Sequence, residues 1–301
     1  MLRYRGLGCA ALNVTDLERS RRFYRDTLGL QFDGEGPEGE LFFRAGGGHQ
    51  GVVLHWGDKP GLKRIGWELE SEAQLDLLAE TLDRCRVKWR ELSPQTCRSI
   101  RVDRCIRMVE ANTGASFDFF SGFVTRSLAP REATTSKIRR LGHVVLRTPR
   151  YREAVKFFEE ALNFRASDEI EDRITFLRCF PNPFHHSLGI ANAGRNMLHH
   201  VNFMLSEAGD VNAAADRLRK SGVPIMCGPG HHPPSGSAFL YFLDPDGLTL
   251  EFSHGMERFE ESAPRAPRVL PPVAKSSDSL SNARDPRMYA VGEIETLSAG
   301  T

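Results

Sequence analysis

Short apolar runs separated by turn-forming stretches set the rhythm of this chain. In its second half, residues 142–147, 174–177, 187–191, 198–205, 239–243 and 249–252 have the length and the β-branched and aromatic content of strands. Two stretches follow a helical period instead. Residues 151–162 place Val155, Phe158 and Leu162 on one face, and residues 208–221 do the same with Val211, Ala214 and Leu218, with Gly222 just beyond as a stop signal. Asp244-Pro245-Asp246-Gly247 joins the last two strands with residues that favour turns.

The first half repeats the second. Leu7-Gly8-Cys9-Ala10-Ala11-Leu12 matches Leu141-Gly142-His143-Val144-Val145-Leu146, at the offset of 134 that separates 141 from 7. Arg22-Phe23-Tyr24 and Leu28-Gly29-Leu30 match Lys156-Phe157-Phe158 and Leu162-Asn163-Phe164 at the same offset. Gly114 to Phe119 matches Gly247 to Phe252 at 133. Matches that keep register over such a distance indicate duplication. Each half holds two modules of strand, helix and further strands, so the fold class is α+β with four βαβββ modules paired into two tandem domains. The expected boundaries are 1–124 for the first domain, 125–137 for a Ser/Thr/Pro-rich linker, 138–256 for the second domain, and 257–301 for a Pro/Ser-rich tail. Pro264 to Asn282 has little apolar periodicity and reads as a tail, disordered or draped over the body, and Met288, Tyr289, Val291 and Ile294 give the last part something to dock with.

Charge narrows the function. With 40 Lys+Arg against 39 Asp+Glu the net charge is +1, which gives no broad attraction to nucleic acid or anionic membrane. No apolar run approaches the roughly 18 residues of a membrane span. Six scattered cysteines form no Cys-x-x-Cys pair, and the start of the chain lacks the apolar core of a secretory signal, so a cytoplasmic protein with reduced thiols is expected.

Within that frame three residues stand out. His143, His200 and Glu251 each sit inside an apolar strand, where a polar side chain is costly unless something pairs with it. Two imidazoles and a carboxylate are the set that holds Fe(II) on one face and leaves the other open. The repeat places Cys9, Trp67 and Asp118 at the corresponding positions of the first half, which therefore reads as a scaffold with a vestigial site. Eight of the ten histidines lie from residue 143 onward. His199, next to His200 on a strand, should point the other way and stand idle, and His185 and His231 are discounted beside their neighbours for the same reason.

These segments, with Gly228-Pro229-Gly230-His231-His232 and the run Phe239 to Gly247, resemble a two-domain type I extradiol ring-cleaving dioxygenase of the vicinal oxygen chelate superfamily over about residues 5–256. The resemblance implies two open-barrel domains, Fe(II) held by His143, His200 and Glu251, and a small aromatic diol and O2 as reactants. It further implies His186 as acid/base, Tyr241 as the group that hydrogen-bonds the bound diol, His232 beside the substrate, and a homo-oligomer. Ligand type does not separate Fe(II) from Mn(II). The segment Pro233 to Ala238 is less polar than in the family, which bears on the hydrogen bonds around Tyr241, and Val145 is apolar. Two other classes share the scaffold: a glyoxalase-like metal-dependent lyase or isomerase, and a non-catalytic small-molecule binder. Three further expectations are open to test. Tyr241 and Glu251 share a face only if their connection has five residues or a bulge. Phe184, Asn182, Trp56 and Phe180 would line an apolar pocket for an alkyl- or aryl-substituted ring. Arg284, Arg287 and Tyr289 in the tail would be solvated rather than closed over the site.

Overall fold

The computed structural model describes residues 1–46, 51–123 and 136–296, and the expected linker falls almost entirely outside them. Two nine-stranded sheets carry the fold. In the first the order is Gln31–Glu35, Leu41–Arg44, Gly51–Trp56, Tyr4–Val14, Gly61–Leu69, Ser116–Phe123, Val102–Val109 and Trp89–Glu91. In the second it is Ile225–His232, Ser237–Leu243, Thr249–His254, Met197–Leu205, Ile138–Thr148, Leu188–Asn192, Ile174–Cys179 and Phe164–Ile170. Each sheet is built from two modules whose first strands pair antiparallel at its centre, Tyr4–Val14 with Gly61–Leu69 and Ile138–Thr148 with Met197–Leu205. No helix among the described residues is long and apolar enough to cross a membrane.

The helices form where the apolar period places them. Tyr151–Glu160 buries Tyr151, Ala154, Val155 and Phe158 and ends two residues earlier than its periodicity predicts, before Asn163 turns left-handed at φ +55°. Asp210–Lys220 buries Val211, Ala214, Ala215 and Leu218, and Gly222 follows at φ +70°. Two strands of the second half escaped the reading. Phe164–Ile170 is too polar to alternate cleanly, and Ile225–His232 contains Gly-Pro-Gly. The latter is tolerated because its pairing with Ser237–Leu243 slips at two places, which is where a strand can accept Pro and Gly.

The core is continuous between the two halves. Phe164 packs edge-on against Trp67 at 4.9 Å and Tyr4 at 5.2 Å, and Phe117 packs on Phe158 at 5.4 Å. Buried Tyr24 donates from its hydroxyl to Asp244 Oδ2 at 3.0 Å, tying the first domain to the turn before the Glu251 strand.

The tail drapes over the body, the second of its two expected forms. Arg268–Leu270 adds a parallel strand to the edge at Phe164–Ile170, and Glu293–Ile294 pairs with Gly61–Leu69 of the other sheet. Between them Asp278 and Met288 are buried. Backbone pairing and ion pairs hold the segment where it lacks apolar periodicity, and Met288, Tyr289, Val291 and Ile294 pack on the core. Among the ion pairs, Glu295 takes Lys63 Nζ at 2.8 Å.

Strand register also corrects the overlay of the two copies. Asp118 lies opposite Gly66 and Glu251 opposite Asn202, so the structural counterpart of His200 is Arg64. Trp67 matches Phe203 instead, on the core face. The sequence offset missed this by three residues, and an odd error places a side chain on the wrong face of a strand. Likewise Arg107 stands opposite Asp118 as Tyr241 stands opposite Glu251. Arg107 grips Asp118 through two bonds of 2.6 and 2.8 Å, and Arg64 approaches it at 3.3 Å. Asp118→Ala would leave two buried guanidinium groups without their anion, and should destabilise the fold by about 3–5 kcal/mol in denaturant melts, with metal content unchanged.

Candidate metal centre

Three adjacent strands deliver the candidate ligands. Met197–Leu205 carries His200 and lies between Ile138–Thr148, which carries His143, and Thr249–His254, which carries Glu251. The strands can approach because Gly142 precedes His143. A Cβ there would stand 2.0 Å from Asn202 Oδ1, an oxygen that also accepts from Ser253 Oγ at 3.3 Å.

The three side chains converge. His143 Nε2, His200 Nε2 and Glu251 Oε2 are each 3.0 Å from the other two. Donor atoms at three corners of an octahedral face, each about 2.1 Å from a common centre, stand about 3.0 Å apart. All three side chains are buried, and neither oxygen of Glu251 makes a well-formed hydrogen bond. A carboxylate in that state is strongly destabilising unless a cation meets it. Burial alone would push the Glu251 carboxyl up, but His143, His200 and His232 outweigh it and hold the group well below its usual range. Burial pushes His143 down to about 4 against the pull of Glu251. A neutral imidazole beside an ionised carboxylate is the protonation state that a metal ligand needs. The residues present therefore fit a divalent ion.

The other residues singled out in the sequence surround this point. A cleft of about 530 Å³ is lined by His143, His186, His200, His232, Tyr241 and Glu251 together. The His186 ring lies 4.1 Å from that of His143. Tyr241 pairs directly across from Glu251, because Leu243 pairs with Thr249 and leaves the five-residue connection that the alternation required. Burial, with Glu251 adding to it, pushes the Tyr241 hydroxyl well up, so it stays a phenol. His232 Nε2 is 3.2 Å from that hydroxyl, and His232 Nδ1 donates to the carbonyl of Ser277 at 2.5 Å.

Two neighbours were misjudged. His199 is not turned away: the pairing of its strand slips between Leu198 and His200, and this bulge brings His199 to the cleft, where it stacks on Tyr289 at 3.7 Å. His185 is fully buried rather than idle, with His186 on one side and Asp168 on the other. The expected pocket lining also fails. Phe184 packs under Arg140, Phe180 under Arg3, and Asn182 bonds the backbone of Arg5, while Trp56 is exposed on the first domain. The walls are instead Arg147, Arg173, Ile170, Ile174 and Phe176, with Val273, Arg284 and Tyr289 from the tail. Arg284 and Tyr289 thus line the site that they were expected to leave open, while Arg287 stays exposed and paired with Asp285. Their role was hidden because nothing in the sequence says where an aperiodic segment runs.

The profile of the Glyoxalase/Bleomycin resistance protein/Dioxygenase superfamily matches residues 6–99 and 140–252. The chain belongs to this superfamily. Within it, an iron-dependent extradiol dioxygenase of Rhodococcus jostii (strain RHA1) is 25% identical over 267 residues, covering 82% of this chain and 88% of that one. A manganese-dependent 2,3-dihydroxybiphenyl 1,2-dioxygenase of Geobacillus genomosp. 3 is 28% identical over 274 residues, 82% of this chain and 84% of that one. Metapyrocatechase 2 of Cupriavidus necator reaches 33%, but over 115 residues, 38% of this chain and 36% of that one. The solved structure of BphC, a halotolerant catechol dioxygenase, shares the fold with a TM-score of 0.84 at 22% identity, covering 96% of this chain and 98% of that one.

A metal bound by the native state alone raises the melting temperature as its concentration rises. Fe(II) or Mn(II) should stabilise the wild-type chain and His199→Ala, and should leave His200→Ala and Glu251→Ala unmoved, with about one ion per chain lost from the latter pair by elemental analysis. Equal metal loss in His199→Ala and His200→Ala would show that the wrong member of the pair was chosen.

Proposed function

We propose that this protein is an extradiol dioxygenase that opens a catechol-type ring with O2, using Fe(II) or Mn(II) held by His143, His200 and Glu251. The observation that carries the reading is the triangle of donor atoms, 3.0 Å on each side, around a buried carboxylate that has no other cation. The ring-cleaving relatives with iron and manganese supply the reaction class. Bound there, the metal supplies neighbouring open positions for two vicinal oxygens and for dioxygen.

The chain's own groups do the rest. His186, neutral and buried against His143, takes a phenolic proton as the diol binds and later returns one. The carbonyl of Ser277 can only accept, so His232 Nδ1 donates to it, and His232 Nε2 lies 3.2 Å from the Tyr241 hydroxyl and 3.4 Å from Glu251 Oε1. The Tyr241 hydroxyl, directly across from Glu251, hydrogen-bonds a substrate oxygen and orients the ring. Tyr289 and its tail segment limit water at the mouth. Arg147, Arg173 and Arg284 face the cleft with no ion pair among the described residues, which favours a ring substituent that bears negative charge over the neutral substituent expected from sequence. A non-catalytic binding role would leave the buried triad unexplained.

The test is anaerobic loading with Fe(II) or Mn(II), followed by oxygen and a panel of catechols, watching for the yellow ring-opened product. Catechols with a carboxylate side chain should show a KM about tenfold below that of neutral alkyl catechols, at equal or higher kcat. His186→Phe should lower kcat by about 100-fold or more. A loaded enzyme that leaves every catechol intact would refute the reading.

A further inference from the structure

Behind His186 lies a buried polar chain that the reaction so far does not use. His186 Nδ1 is 3.0 Å from His185 Nδ1, and His185 Nε2 is 2.9 Å from Asp168 Oδ2. Asp168 and His185 are fully buried. With Glu257 they form a group of metal-binding type, but two guanidinium groups from the tail already supply its positive charge. Arg265 meets Asp168 with two bonds of 2.9 Å and reaches Glu257 Oε2 at 2.5 Å, and Arg268 takes Asp168 Oδ2 at 2.5 Å. A cluster so neutralised is a poor cation site and a firm anchor.

The hydrogen bonds fix the protons in sequence. Asp168 is held ionised: burial opposes this, but His185, Arg268 and Arg265 outweigh it. A carboxylate only accepts, so His185 Nε2 carries the hydrogen. Burial keeps His185 neutral against the pull of Asp168, so its Nδ1 is a lone pair. The facing Nδ1 of His186 must then be the donor. We propose that Asp168, acting through His185, is a positioning residue that fixes the tautomer of His186, leaving Nε2 as the nitrogen free to receive a proton. This rests on His186 being the acid/base of the proposed reaction. Had His186 kept its hydrogen on Nε2, it could not take the phenolic proton there until it had moved its own. The tail therefore contributes to the reaction from behind the site as well as at its mouth, since Arg265 and Arg268 hold the far end of the chain.

His185→Phe tests this. Phe176 and Phe259, whose centroids lie 5.7 and 6.0 Å from that of His185, offer aromatic packing to the substituted ring, and Asp168 keeps its arginines. ¹⁵N NMR of the metal-free wild-type chain should show His186 protonated on Nδ1. In His185→Phe the signal should move to the Nε2-protonated form or to a mixture, with kcat down about 100-fold and KM within about threefold. Asp168→Asn, with an amide that can turn its NH2 toward His185 Nε2, should shift the tautomer in the same direction if the first variant fails to fold. An unchanged His186 tautomer in the folded variant overturns the inference, as does a fall in KM and kcat together with loss of metal. The NMR readout needs no turnover. A tautomer that follows His185 in a chain that cleaves no catechol would sink the reaction and leave this inference standing.

Discussion

A fully buried carboxylate with two imidazoles around it and no Lys or Arg beside it among the described residues is the constraint on which the rest of this structure turns. Glu251 is fully buried, and His143 and His200 reach it at 3.0 Å. Taking such a charge out of water costs several kcal/mol even after relaxation. The fold supports it by placing the three groups on neighbouring strands of one sheet, so that backbone pairing fixes their separation before any ion arrives. Pre-organisation of this kind is what a metal site needs, and it explains Gly142, whose missing side chain lets the His143 and His200 strands run close beside Asn202.

The first domain shows the other solution to the same problem. Its counterpart residues are Cys9, Arg64 and Asp118, and there the acid is met by Arg107 and Arg64 rather than by an ion. A guanidinium pairs with a carboxylate through directed bonds and fills the space that a metal and its ligands would need. Duplication thus gave two sheets with one geometry. In one the charge is satisfied from within. In the other it is left for an ion, and the surrounding histidines are arranged around that ion's place.

The tail links the two solutions. It leaves the second domain, adds a strand to the far edge of its sheet, crosses the mouth of the cleft with Tyr289 on His199, and ends paired with the first domain. Its strand pairings and ion pairs tolerate a Pro- and Ser-rich composition, while Met288, Tyr289, Val291 and Ile294 add apolar packing near its end. The segment therefore lines one side of the cleft by packing on the body rather than around a core of its own.

The sequence alone determined the duplication, the four modules, the three side chains that converge and the need for a five-residue connection before Glu251. All of these follow from local periodicity and from chemistry that apolar strands do not otherwise tolerate. It could not determine what depends on register and on distant pairing. Arg64, not Trp67, stands in the place of His200 because the two copies slip by three residues along that strand. His199 reaches the cleft because of one bulge, and His185 matters because it meets Asp168, which two arginines about a hundred residues later hold. Side-chain alternation is a property of a strand taken alone, whereas bulges and the path of an aperiodic segment are decided by the partners it finds in three dimensions.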